Sequence, residues 1–300
     1  MTITERPEPA LPPGTPAPGP GPGGWSPVLG ALHVFTSPGR LEEGWLTEAA
    51  AHLAAAECSR RPARRLTERH PQMTLAQAYR IQWTIIQDRV LRGARVAGHK
   101  VGLTSSAMQQ QMGVDQPDSG ILLQDMLLPT ASSLHLDDFV LPRIETEIAF
   151  RLGADLHGPD VDAAAARAAV SEVLLALEVI DTRYGQWQIT VEDSVADNAS
   201  AARAVLGPAV PLTRPLALDA EEVHVSVNGI PAAVACGAAV LGDPLNAVAW
   251  LARRLSEYGA HLHAGDLILP GSVHASLPLQ AGMEVEARAP HLPPVRAQVT

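Results

Sequence analysis

The stretch from 173 to 181, VLLALEVID, constrains the fold more than any other. It is a compact apolar run whose length suits a buried strand, yet it carries Glu178 with apolar neighbours on both sides. A carboxylate taken from water without a partner suffers heavy desolvation, so Glu178 must be protonated, meet an arginine such as Arg143 or Arg183, or face another cation. A second acidic strand lies upstream, RIETEIAFRL, in which Glu145 and Glu147 are two residues apart. On an extended chain that spacing points both carboxylates at one face and leaves Ile144, Thr146 and Ile148 on the other. Taken alone, the pair also fits a solvated strand face.

Around these strands the chain reads as α+β. Residues 1–40 are dense in Pro and Gly and read as a disordered tail, with docking through Trp25 as the alternative. From Leu41, residues Trp45, Leu46, Ala49, Ala50 and Leu53 recur at helical spacing as far as Pro62. Thr74 and Gln77 form a capping pair ahead of a second helix carrying Leu75, Ala78, Ile81, Ile85 and Ile86. After residue 93 the pattern changes to short runs broken by Gly, Pro, Asp and Ser, which is strand and loop grammar. Residues 161–172 read as an Ala-rich helix, Asn228-Gly229 as a tight hairpin turn, and Asp243-Pro244 as the start of a helix closed by Gly259. The expected domain is therefore 41–300, with a helical N-terminal part at 41–93 and a β-rich body at 94–300.

Partners are bounded by charge and composition. The 22 basic and 32 acidic side chains give a net charge of -10, which disfavours nucleic acid and anionic lipid. No apolar stretch is long enough for a membrane span, and the N-terminus does not read as a secretory signal. Two cysteines, Cys58 and Cys236, are too few for a disulfide framework, so a cytoplasmic location is expected.

Three carboxylates drawn from two adjacent strands would supply hard oxygen ligands for Mg²⁺ or Mn²⁺ and leave positions for water and a chelating 2-oxo acid. Lys100, in GHKVGLTSS, is the candidate ammonium to balance their charge; burial near a metal would lower its pKa toward proton transfer, and a surface lysine is the plainer reading. Asp118 reads as turn chemistry, and Ser200 as a helix cap or a donor to a substrate carboxylate.

In order, HKVGLTS, GVDQPDSG, RIETEIAF, ALEVIDTRYGQW, SVADNAS, GDPLNAVAWLARRL and GDLILPGS resemble the 2-hydroxypenta-2,4-dienoate hydratase and 4-oxalocrotonate decarboxylase group of the fumarylacetoacetate hydrolase superfamily. The resemblance spans residues 41 to 300. It implies that fold, with a helical layer on a mixed-sheet body, and a homo-oligomer. It also implies Glu145, Glu147 and Glu178 as metal ligands, Lys100 and Asp118 as the proton-handling pair, and Ser200 as a substrate contact. Ser119, in the turn Pro117-Asp118-Ser119-Gly120, stands where the family usually has an aromatic residue and should open the pocket. Ser272 lies on the same rim, after an unusual Pro270. The implied reaction is metal-dependent addition of water to a 2-hydroxy-2,4-dienoate, through its 2-oxo tautomer, giving a 4-hydroxy-2-oxo acid. Decarboxylation of a 4-oxalocrotonate, a related lyase or C–C hydrolase on an altered 2-oxo acid, and a non-catalytic scaffold are the alternatives.

Overall fold

A computed structural model of the protein describes residues 43–105, 109–110, 113–213 and 216–300. The Pro/Gly-rich segment at 1–40 and Trp25 lie outside the described residues.

The chain begins with helices α1 (Glu43–Ser59), α2 (Leu66–Arg69) and α3 (Leu75–Leu91). Thr74 caps α3: Gln77 N donates to the Thr74 hydroxyl at 3.3 Å while Thr74 N donates to Gln77 Oε1 at 2.9 Å, the reciprocal pair anticipated from the sequence. Leu46, Ala50 and Leu53 of α1, with Ala78 and Ile81 of α3, form an apolar cluster that also takes in Tyr184, Val191 and Val195.

The body carries fourteen described strands. The larger sheet is built on β1 (Val96–Gly102), β2 (Asp118–Leu123), β3 (Leu127–Pro129), β5 (Pro142–Leu152), β6 (Val170–Asp181), β7 (Ala201–Leu206) and β11 (Leu267–Leu269). These run in the order β2-β1-β11-β5-β6-β7-β3, with β8 (Val210–Pro211) beside β6 and β12 (Leu277–Pro278) beside β5. A smaller sheet orders β10 (Ile230–Cys236), β9 (Glu222–Val227), β13 (Glu284–Arg288), β14 (Val295–Val299) and β4 (Ser132–Leu134). Antiparallel and parallel pairs mix in both, as expected for an α+β body.

One face of β5 and β6 carries Ile144, Ile148, Phe150, Leu175, Leu177 and Val179 into the main core, against the smaller sheet and helices α4 (Ala163–Ala169) and α6 (Pro244–Ser256), while α5 (Val191–Ala196) joins the N-terminal helical cluster. The other face continues from the acidic residues into a cluster of small and branched side chains, Ala149, Leu174, Ala176, Ala204, Leu267 and Leu269. The sheet curls around this second face. The Asn198 side-chain amide bridges to β2 like an extra strand, accepting from Ile121 N at 2.8 Å and donating to Ile121 O at 2.9 Å.

Two sequence expectations change. The helix read over 161–172 ends at Ala169, because Val170 already pairs with Leu152 and the chain continues as β6; non-local pairing overrides local helix propensity there. Pro117-Asp118-Ser119-Gly120 is not a turn, since Asp118 starts the fully buried β2. Gly120 serves close approach, as a Cβ there would fall 2.5 Å from Asn198 O. The apolar stripe of α6 is used internally: Leu245, Val248, Leu251 and Leu255 belong to the main core. The Asn228-Gly229 turn is as read, with φ of 51° and 76° joining β9 to β10.

Candidate metal centre

Strand pairing alone assembles the acids. In the antiparallel β5–β6 ladder Glu145 lies directly opposite Glu178, and Glu147 stands two residues further along the same face. One carboxylate oxygen from each of the three lies within 4.8 Å of the other two. Glu147 and Glu178 are fully buried and Glu145 partly so.

Lys100 arrives from β1, across the short β11. Its Nζ lies 3.4 Å from Glu178 Oε2 and donates to Ala199 O at 3.1 Å. The arginine partners considered for Glu178 are engaged elsewhere: Arg183 binds Asp197 at 2.6 Å and Arg143 donates to Ser276. Pro270 has no N–H to offer a neighbouring strand, so β11 stops beside it, and Gly271 N turns to donate to Glu147 Oε2 at 2.8 Å. Gly271 has φ of 122°, and a Cβ there would lie 2.1 Å from Thr104 Oγ1.

Asp118 faces Gly102 in the β1–β2 register. A Cβ on Gly102 would fall 2.2 Å from Asp118 Oδ1 and 3.5 Å from Lys100 Nζ, so a bare backbone is what lets this carboxylate approach the lysine. Asp118 Oδ2 accepts from Ser194 Oγ at 3.2 Å.

Ser200 is buried and its hydroxyl makes no hydrogen bond among the described residues. It ends a run, Asn198, Ala199 and Ser200, with φ of 54°, 49° and 58°, a left-handed path that non-glycine residues adopt at a cost. Arg183 braces this run from one side, bonding Asp197 O and Ala201 O. Ser119 sits 3.4 Å from the Tyr79 hydroxyl, so an aromatic ring from α3 stands beside the residue expected to open the pocket. Ser272 follows Gly271, but its hydroxyl donates to His274 O at 2.7 Å. Tyr79, Gly102, Ser194, Asn198 and Gly271 were not singled out from the sequence. No local pattern marks them, because each acts through a partner distant in the chain.

Electrostatics favour an added cation. Four buried or partly buried carboxylates, at 118, 145, 147 and 178, face a single ammonium. Burial, followed for Glu147 by the Glu178 and Glu145 charges, holds its carboxyl well above the usual range. Glu145 is raised to about 7, again by desolvation first, with Lys100 opposing. Glu178 and Asp118 are raised by burial against the same lysine. Burial alone would lower Lys100, but Glu178, Glu145, Asp118 and Glu147 outweigh it and raise its pKa, opposite to the sequence expectation. Glu147 Oε1 and both Glu178 oxygens lack hydrogen-bond partners among the described residues. A converging set of unpaired hard oxygens fits Mg²⁺ or Mn²⁺.

The family model described as fumarylacetoacetate (FAA) hydrolase C-terminal matches residues 95–300. The 2-keto-4-pentenoate hydratase of Paraburkholderia xenovorans is 41% identical over 235 residues, 78% of this chain and 87% of that protein. The 4-oxalocrotonate decarboxylase of a Pseudomonas species is 37% identical over 239 residues, 80% of this chain and 90% of that one. Among solved structures, 4-oxalocrotonate decarboxylase from Pseudomonas putida, complexed with magnesium and adipate, superposes with a TM-score of 0.83 at 35% identity, covering 85% of this chain and 97% of that one.

Proposed function

Because the chain belongs to the fumarylacetoacetate hydrolase family, we propose that it is a divalent-metal-dependent hydro-lyase. It adds water to a 2-hydroxy-2,4-dienoate through the 2-oxo tautomer and yields a 4-hydroxy-2-oxo acid. The observation that carries the reading is the buried convergence of Glu145, Glu147 and Glu178 beside one lysine. The hydratases named among the relatives supply the substrate class.

The three glutamates hold Mg²⁺ or Mn²⁺. Bound there, the ion would supply Lewis acidity toward a 2-oxo acid. Gly271 N orients Glu147 by occupying one of its oxygens. Lys100 and Asp118 handle protons: Asp118 Oδ1 is buried without a hydrogen-bond partner among the described residues, and burial raises its carboxyl above the usual range. Ser194 fixes the other Asp118 oxygen. The free Ser200 hydroxyl donates to the substrate carboxylate. Ser119 and Ser272 contact substrate only by exchanging their present hydroxyl partners, Tyr79 and His274 O.

Loss of CO₂ from a 4-oxalocrotonate is the second reading, favoured by the structural match to the decarboxylase. Purified protein with Mg²⁺ is mixed with 2-hydroxypenta-2,4-dienoate while diene absorbance is followed, and in parallel with 4-oxalocrotonate while CO₂ is measured. Diene loss without CO₂ supports the hydratase; CO₂ release with the diene untouched supports the decarboxylase. Silence on both refutes the two together. We further read the enzyme as a cytoplasmic homo-oligomer; among the described residues no helix is long and apolar enough to cross a membrane, and Cys58 and Cys236 are free thiols.

A further inference from the structure

Away from the acidic centre the chain repeats a short pattern at two distant places, Asp155-Leu156-His157 and His261-Leu262-His263. The leucines form an antiparallel bridge, exchanging hydrogen bonds of 2.9 and 3.1 Å. Both leucines are buried, which sends their neighbours to the opposite, outer face of this two-stranded contact. Pairs that flank a hydrogen-bonded pair are the close ones in an antiparallel ladder, so His157 meets His261 and Asp155 meets His263.

The side chains follow that geometry. The rings of His157 and His261 lie 4.5 Å apart and those of His261 and His263 4.3 Å apart. Asp155 Oδ2 is 4.0 Å from His261 Nε2. Backbone contacts fix the frame: Ala264 N donates to Asp155 Oδ1 at 2.8 Å and His263 N to Asp266 Oδ2 at 2.8 Å. His263 Nδ1 stands 3.8 Å from buried Asp266.

We propose that Asp155, His157, His261 and His263 form a second cation site, selective for a borderline transition ion of the Zn²⁺ type and separate from the glutamate centre. Three imidazoles and one carboxylate are the donors that Zn²⁺, Co²⁺, Ni²⁺ and Cu²⁺ prefer, whereas Mg²⁺ favours oxygen alone. The stacked rings do not yet converge as the glutamates do, and capture requires them to turn about their side-chain bonds. The ion would clip the 153–158 loop to the segment that leads into β11.

The test titrates Zn²⁺ alone into the full-length protein in excess Mg²⁺, beside Glu147→Gln, His261→Ala and His263→Ala. One equivalent should bind the wild type and Glu147→Gln equally, and weaken by about 10-fold to 100-fold in each histidine variant. Wild-type Tm should rise with Zn²⁺, while His261→Ala melts as the wild type does without zinc and gains nothing from it. Cu²⁺ bound at the same stoichiometry should show nitrogen hyperfine structure that His261→Ala diminishes. Zinc binding lost in Glu147→Gln, or unchanged in both histidine variants, overturns the site.

Discussion

Protons and the divalent ion compete for the same three glutamates, and the pH dependence of that competition is worked from the structure as follows. Glu145 is raised from 4.5 to about 7 by desolvation, with the Glu178 charge adding and Lys100 opposing. Glu147 is also raised well above the usual range, by burial and then by both neighbouring acids. An acid whose folded-state pKa lies above its unfolded one stabilises the fold most when protonated. For Glu145 that contribution is full below about 4.5 and is lost as pH rises through about 7. The metal-free protein should therefore melt at lower temperature at about pH 8 than at about pH 6, and Mg²⁺ should restore more of the loss at the higher pH. Binding must expel at least one proton below the Glu145 value, so the apparent Kd should weaken at least about tenfold for each pH unit below about 7. Isothermal titration with Mg²⁺ in two buffers of different ionisation enthalpy counts the protons released. A Kd flat across that range, with no proton release, would mean that the carboxyls are already ionised and do not share a site, and the reasoning would fail.

Glu147→Gln should still accept a hydrogen bond from Gly271 N while losing a ligand charge; Mg²⁺ affinity and turnover should fall by about 100-fold or more with the melting profile of a folded protein. Lys100→Ala should keep Mg²⁺ binding but slow turnover by about 10²-fold to 10⁴-fold, and an unchanged rate would remove it from proton transfer. Gly271→Ala alters no candidate ligand, yet its Cβ would meet Thr104 Oγ1 at 2.1 Å, so it should weaken Mg²⁺ binding measured by titration. Arg183→Met takes the ion-pair partner from buried Asp197, with a denaturation cost of about 3–5 kcal/mol.

How much of the centre was readable follows from the range over which each interaction acts. Glu145 and Glu147 share a face because strands alternate, a property of five consecutive residues, and Glu178 stood out because an acid in an apolar run is costly wherever that run goes. The Thr74 cap and the Asn228-Gly229 turn are local in the same sense. What made three acids a site was the β5–β6 register, and nothing within either strand states that Glu145 must face Glu178. The misread elements share that cause. Val170 leaves the helix because Leu152 is there to pair with it, and Asp118 joins a strand because β1 offers Gly102 opposite. Lys100 illustrates the same limit for chemistry. Its burial was inferred from neighbours in sequence and pointed to a lowered pKa, whereas four acids from three other strands push it the other way. The lysine thus stays charged where a dication would otherwise be the sole counter-charge.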